Sequence, residues 1–247
     1  MCIRDRTSFD PILGPVITRN LEAGRLKDIA AQISQVGFWI IAAQAGIALA
    51  LGIPGEAVMG LAGQAFIGGT GALAVLLAAE VVAATGAVSE SALVYVARHR
   101  NLMISVTMIV LQAALSVGLV LAVRAIGWPA NYQAVAVALA LLLSLGAAAI
   151  AKARLLSKIL GAPVNGWRWA LAWAAAGAVV LGYGATQLPE WAELIFGVPV
   201  ILGIYAWIIW SRGFGPADRE LFRLKGAADA GMEFEPKLKK GDRPLDK

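Results

Sequence analysis

Residues 132–151 read YQAVAVALALLLSLGAAAIA, twenty positions without a charged side chain. About 20 apolar residues at 1.5 Å of rise each match the ~30 Å hydrocarbon layer of a bilayer. In that layer a backbone must satisfy its own hydrogen bonds, so a lone segment crosses it as a helix. Runs of the same kind recur at 30–53, 69–97, 102–123, 168–187 and 191–211. Together they predict an all-α polytopic membrane protein of about six transmembrane helices. Only 15% of the residues are charged, against about 25% in soluble domains.

The basic residues alternate between loops. Arg19, Arg25 and Lys27 precede the first run, Arg98, His99 and Arg100 separate the second from the third, and Lys152, Arg154, Lys158 and Arg168 follow the fourth. The intervening loops hold Arg124 alone, and the tail beyond the last run is again rich in Lys and Arg. By the positive-inside rule both termini are expected in the cytoplasm of a bacterial inner-membrane protein. Trp128, Trp167, Trp169, Trp191 and Trp210 fall near run ends, where an amphipathic ring is favoured. The net charge of +5 is therefore orientation bias, and no nucleic-acid partner is expected. No apolar run follows a basic start closely enough for a cleavable signal. Residues 7–29, with Pro11 and Pro15, read as an interfacial cytoplasmic segment, and 212–247 as a charged cytoplasmic tail.

Within the runs, the costly residues are acidic. Glu80 falls near the middle of 69–97, where a charge costs on the order of 3 kcal/mol on insertion scales, and Glu90 falls nearer its cytoplasmic end. The two are about 80° apart around a helix, with Ala83 and Ala87 between them. Either is a candidate for ion coupling in transport; the alternative is a carboxyl hydrogen-bonded to a neighbouring helix. Asn101, Ser105, Gln112 and Ser116 share one helical face, and Gln44 lies on the first run. Ser105, Gln112, Ser116 and Gln44 are candidates to line a polar path, although such residues also bond helix to helix. Arg98, His99 and Arg100 read as a topogenic cluster that touches lipid phosphate. Metal and cofactor sites are not expected. No GxxxxGK[ST], GxSxG or HExxH occurs, and the longest external loop, 54–68, has one Glu and no His, Lys or Arg. An enzyme is not expected; a device that moves something through a helix bundle is.

The stretch FDPILGPVITRNLEAGRLKDIAAQISQVGFWI, the pair of runs around ARHRN, and KARLLSKILGAPV resemble the C-terminal half of O-antigen or capsular polysaccharide flippases. These belong to the multidrug/oligosaccharidyl-lipid/polysaccharide exporter superfamily. The resemblance covers about residues 8–210 and implies one lobe of a MATE-like fold working by alternating access. Its implied cargo is an undecaprenyl-diphosphate-linked oligosaccharide, with membrane lipids and polysaccharide polymerase or assembly proteins as partners. Flippases of this kind often set cations against the pyrophosphate, yet these runs contain no Lys or Arg in their interiors. A cation-coupled drug or metabolite antiporter of the same superfamily, using Glu80, is one alternative. A non-catalytic membrane subunit of an envelope-assembly complex is another.

The first six residues, MCIRDR, carry the only cysteine. ATGTGTATAAGAGACAG, the end of a transposon-based sequencing adapter, translates to Met-Cys-Ile-Arg-Asp and then an Arg or Ser codon. Residues 1–6 are therefore expected to be adapter read-through ahead of a fragment lacking its N-terminal half, and Cys2 to have no redox meaning.

Overall fold

A computed structural model describes residue 21, residues 23–187, 189–215 and residue 218. MCIRDR, most of the interfacial segment and nearly all of the tail lie outside the described residues. The chain divides into two units, Met1–Gly213 and Phe214–Lys247. In the second, the Gly215 amide donates to Asp218 Oδ2 at 2.7 Å; every helix below belongs to the first.

The described residues are helical, with no strand among them. In order they form α1 (Leu26–Gly52), α2 (Gly55–Ala62), a 3-10 turn (Gln64–Gly69), α3 (Thr70–Val96), α4 (Arg98–Ile126), α5 (Asn131–Leu160) and α6 (Trp169–Ala185). A short α7 (Glu190–Ala192) and a π-helical turn (Glu193–Gly197) lead into α8 (Val198–Gly213).

Five stretches are long and apolar enough to cross a membrane: Leu26–Gly52, Gln64–Val96, Arg98–Ile126, Asn131–Leu160 and Glu193–Gly213. The run expected as a sixth span at 168–187 is helical as α6, but its 17 residues, about 25 Å of rise, leave five helices and not six long enough to cross among the described residues. It starts after Arg168, which is extended at φ −129° and ψ 144°, and ends near Gly182, Gly184 and Pro189. The 54–68 loop is also more ordered than its glycines imply, since it holds α2 and the 3-10 turn.

α1 is the central helix. It packs on α3 along one side and on α8 and α6 along another, while α5 lies between α3 and α4. Small side chains set the spacing. On α5 every fourth residue from Ala136 is buried, giving Ala136, Ala140, Ser144, Ala148, Lys152, Leu156 and Leu160. A Cβ at Gly86 of α3 would stand 3.4 Å from that of Ala149, so these two helices meet nearly backbone to backbone. α4 is the outermost element, with only 6% of its most apolar window buried. Met103, Ile109 and Val110 point outward from it, as suits a lipid-facing helix.

On the other side, the Tyr205 ring lies against Gly46, and its hydroxyl donates to the Ala42 carbonyl at 2.8 Å. Tyr205→Phe keeps the ring contact and loses that bond, an expected cost of about 1 kcal/mol. Thermal unfolding of the purified protein should fall by about 2–4 °C. An unchanged midpoint would show that the bond adds nothing.

Candidate functional site: a two-part groove on α1

The site begins with the α5–α6 loop, which is strapped onto α1. Gly161 ends α5 at φ +63°, a left-handed turn that glycine adopts without strain. The Val164 amide then donates to Ser157 Oγ at 3.1 Å, and the Asn165 amide to Ser34 Oγ at 3.0 Å. Gly166 lies directly on the α1 backbone, where a Cβ would stand 3.1 Å from both Gly37 C and Phe38 N. The Trp167 amide donates to Asn165 Oδ1 at 2.9 Å. Arg168 closes the strap, stacking 4.1 Å above the Phe38 ring and donating from Nη1 to the Gly213 carbonyl. Arg168 had counted in the sequence as a loop cation; it joins α1, α6 and the end of α8.

Two crevices flank this strap, sharing Ile41 and Trp167. The first, about 360 Å³, lies between α1, α3, α5 and the loop, and includes the polar residues Thr85, Ser89 and Asn165. Ser89 is only 3% exposed, and its side chain has no hydrogen bond among the described residues. The second crevice, about 400 Å³, runs along Ile41, Ala45, Ala48 and Gly52 of α1, between α3 and α6. Leu77, Val81 and Leu171 wall it, and no residue in its lining has a polar side chain except Trp167. Neither lining holds a charged residue. The α1 residues of the two crevices follow one stripe of that helix; α3 and the loop add three polar side chains to the otherwise mainly apolar first crevice, the mouth, and the second, the strip, has none apart from Trp167. No known protein family, curated protein or solved structure matches this chain.

The structure separates the two candidate carboxylates. Glu80 is exposed on α3, outside both crevices, with no hydrogen bond or ion pair among the described residues. Glu90 is half-buried and accepts from Lys152 Nζ of α5 at 2.9 Å. Lys152 is the residue that sequence reasoning missed. The sequence places it in a loop after a span ending at 151, with the span interiors free of cations. Instead α5 continues to Leu160, and the Lys152 side chain is 6% exposed. The physical reason is the carboxylate from α3, which offsets the cost of burying an ammonium. A signal was available: Lys152 falls in register with the small residues at 136, 140, 144 and 148. The pair is adjacent to the mouth in sequence, since Ser89 and Ala153 line it.

The remaining candidates sit elsewhere. Ser105, Gln112 and Ser116 are half-buried on α4, which packs mainly on α5, and none lines a crevice. Asn101, on the same face, is buried, and its Oδ1 has no hydrogen-bond partner among the described residues. Gln44 is half-buried beside the apolar strip without entering its lining. Arg98, His99 and Arg100 are exposed, but they form the first turn of α4, not an inter-helix turn. The helix break is confined to Ala97, at φ −150° and ψ 53°. In the sequence they read as a turn because they are a basic cluster between two apolar runs; the helix nevertheless begins at Arg98, although cations oppose the dipole there. Among the described residues, no three His, Cys, Asp or Glu side chains gather as metal ligands.

Proposed function

We propose that this chain is one lobe of an inner-membrane transporter that moves a polyprenyl-linked polar cargo by alternating access, most specifically an undecaprenyl-diphosphate-linked oligosaccharide. Both ends of the lobe face the cytoplasm. One observation carries the reading: two crevices run along one stripe of α1, the first with Thr85, Ser89 and Asn165 in its lining and the second apolar apart from Trp167. The mouth fits the start of a polar head group, and the strip fits an isoprenoid chain. The mouth also lies toward the end of the bundle that carries Arg25, Lys27, Arg98, Arg100, Arg154 and Lys158. By the positive-inside rule that end is cytoplasmic, the side on which a lipid-linked precursor is assembled.

The direct test is a deletion strain. Lipid-linked oligosaccharide should accumulate facing the cytoplasm, and surface polysaccharide should be lost. Trp167→Ala, which removes the ring shared by both crevices, should lower flipping about tenfold at unchanged protein level, equivalent to about 1.4 kcal/mol. Intact surface polysaccharide with altered drug resistance would instead favour the second reading, a cation-coupled antiporter. That reading draws on the mid-span Glu80 carboxylate, which has no partner among the described residues.

A further inference from the structure

The outer face of α3 poses a problem that the groove does not answer. Glu80 lies about 15 Å of helical rise from Thr70 and about 24 Å from Val96, at mid-depth of a run long enough to cross a bilayer. A side chain with two methylenes is too short to carry its carboxylate from there to the headgroups. Leu76 precedes it by one turn on the same face, and Ala83 and Ala87 follow it. Leu76 and Ala87 are exposed like Glu80, and Ala83 is half-buried. The face is thus apolar and small-sided around one carboxylate, which is hydrogen-bonded to nothing among the described residues. Lipid is a poor cover for it.

We infer that the Glu80 face of α3 is the docking surface for a transmembrane helix of a second, different polypeptide, one that carries a Lys or Arg at mid-membrane depth. Charge complementarity names the chemistry, and Ala83 and Ala87 leave room for close approach. A second copy of the described helices has no such cation to offer. Lys152 is already buried against Glu90. Arg124 sits in the last turn of α4 and donates to Gln133. Arg98 and Arg100 lie in the first turn of α4, Arg154 and Lys158 near the end of α5, and Arg212 in the last turn of α8. The inference concerns the packing of α3 and does not depend on the cargo.

The test uses the full chain in two settings: native host membranes, and purified protein in phosphatidylglycerol–phosphatidylethanolamine vesicles. In vesicles, Glu80→Leu should raise the unfolding temperature, because the carboxylate there meets lipid. In host membranes the same substitution should lower steady-state level about fivefold, because its partner is left unpaired. Ala87→Cys, in a Cys2→Ser background, should resist a membrane-impermeant thiol reagent in host membranes. Leu76→Cys serves as the second position if the alanine site disturbs folding. The sign reversal together with protection supports the inference, and any other result overturns it. Stabilisation by Glu80→Leu in both settings would mean a lipid-facing carboxylate, and loss in both a role within the chain. Labelling of Ala87→Cys by the impermeant reagent would mean a water-lined passage, and an Ala87→Cys disulfide between two copies would mean self-association.

Discussion

Lys152→Met should destabilise the purified protein by about 3 kcal/mol, the low end for breaking a buried ion pair, because Glu90 retains some access to solvent. The cost comes from the carboxylate left behind on α3, not from losing an especially strong attraction. Lys152→Met combined with Glu90→Met should therefore recover most of the loss, since a well-packed apolar pair often matches a buried ionic one. Exchanging the charges, Lys152→Glu with Glu90→Lys, should recover part of it. Unfolding midpoints of the three variants in lipid nanodiscs decide the matter. If the apolar double variant is no better than Lys152→Met alone, the pair contributes through something other than mutual neutralisation. The consequence reaches the groove, because α3 and α5 form one wall of its mouth and the pair joins them beside it.

Gly166→Ala and Gly37→Ala should differ sharply although the two glycines face each other. A methyl on Gly166 would press to 3.1 Å on the α1 backbone, which has little freedom to move. Overpacking of this kind costs about 1–3 kcal/mol, and it would lift the strap that roofs the polar mouth. A methyl on Gly37 would meet its nearest neighbours, Gly166 Cα and Val88 Cγ1, at 3.9 Å, ordinary contact. It would also gain about 1 kcal/mol of helix propensity. Gly166→Ala should thus lower the unfolding midpoint, while Gly37→Ala leaves it at or above the parent level. Equal effects at the two positions would show that the close approach between loop and helix does not constrain the mouth.

The long helices were legible because each is an unbroken apolar run, and bilayer thickness sets a length that such a run either meets or misses. α1, α3 and α8 begin or end within a few residues of the expected limits. What stayed hidden depended on residues far apart in the chain. A lysine ends a span when nothing neutralises it, and continues one when a glutamate 62 positions away stands opposite. Periodicity within α5 has no access to that partner. The strap was hidden for the same reason: Ser34, Gly37 and Phe38 look like ordinary helix residues until the 164–168 segment lies across them. Glu80 and Glu90 were legible as unusual, and the difference between them was not. One pairs with a cation and the other has no hydrogen bond or ion pair among the described residues, and only tertiary placement separates the two. The polar stripe on α4 has two readings in sequence, and neither gains a contact: Ser105, Gln112 and Ser116 line neither crevice and make no side-chain hydrogen bond among the described residues.

The bond from Tyr205 to Ala42 joins residues 163 positions apart, and that interval has a meaning in time. At about 5–20 residues per second of synthesis, Ala42 and Gly46 wait on the order of ten to thirty seconds for the ring that covers them. The α3–α4–α5 layer, connected by short turns, can close during that delay. α1 meanwhile keeps one flank open to lipid or to a membrane chaperone. Premature termination anywhere before α8 would leave that small-residue flank permanently bare, a ready mark for proteolytic disposal of an unfinished chain.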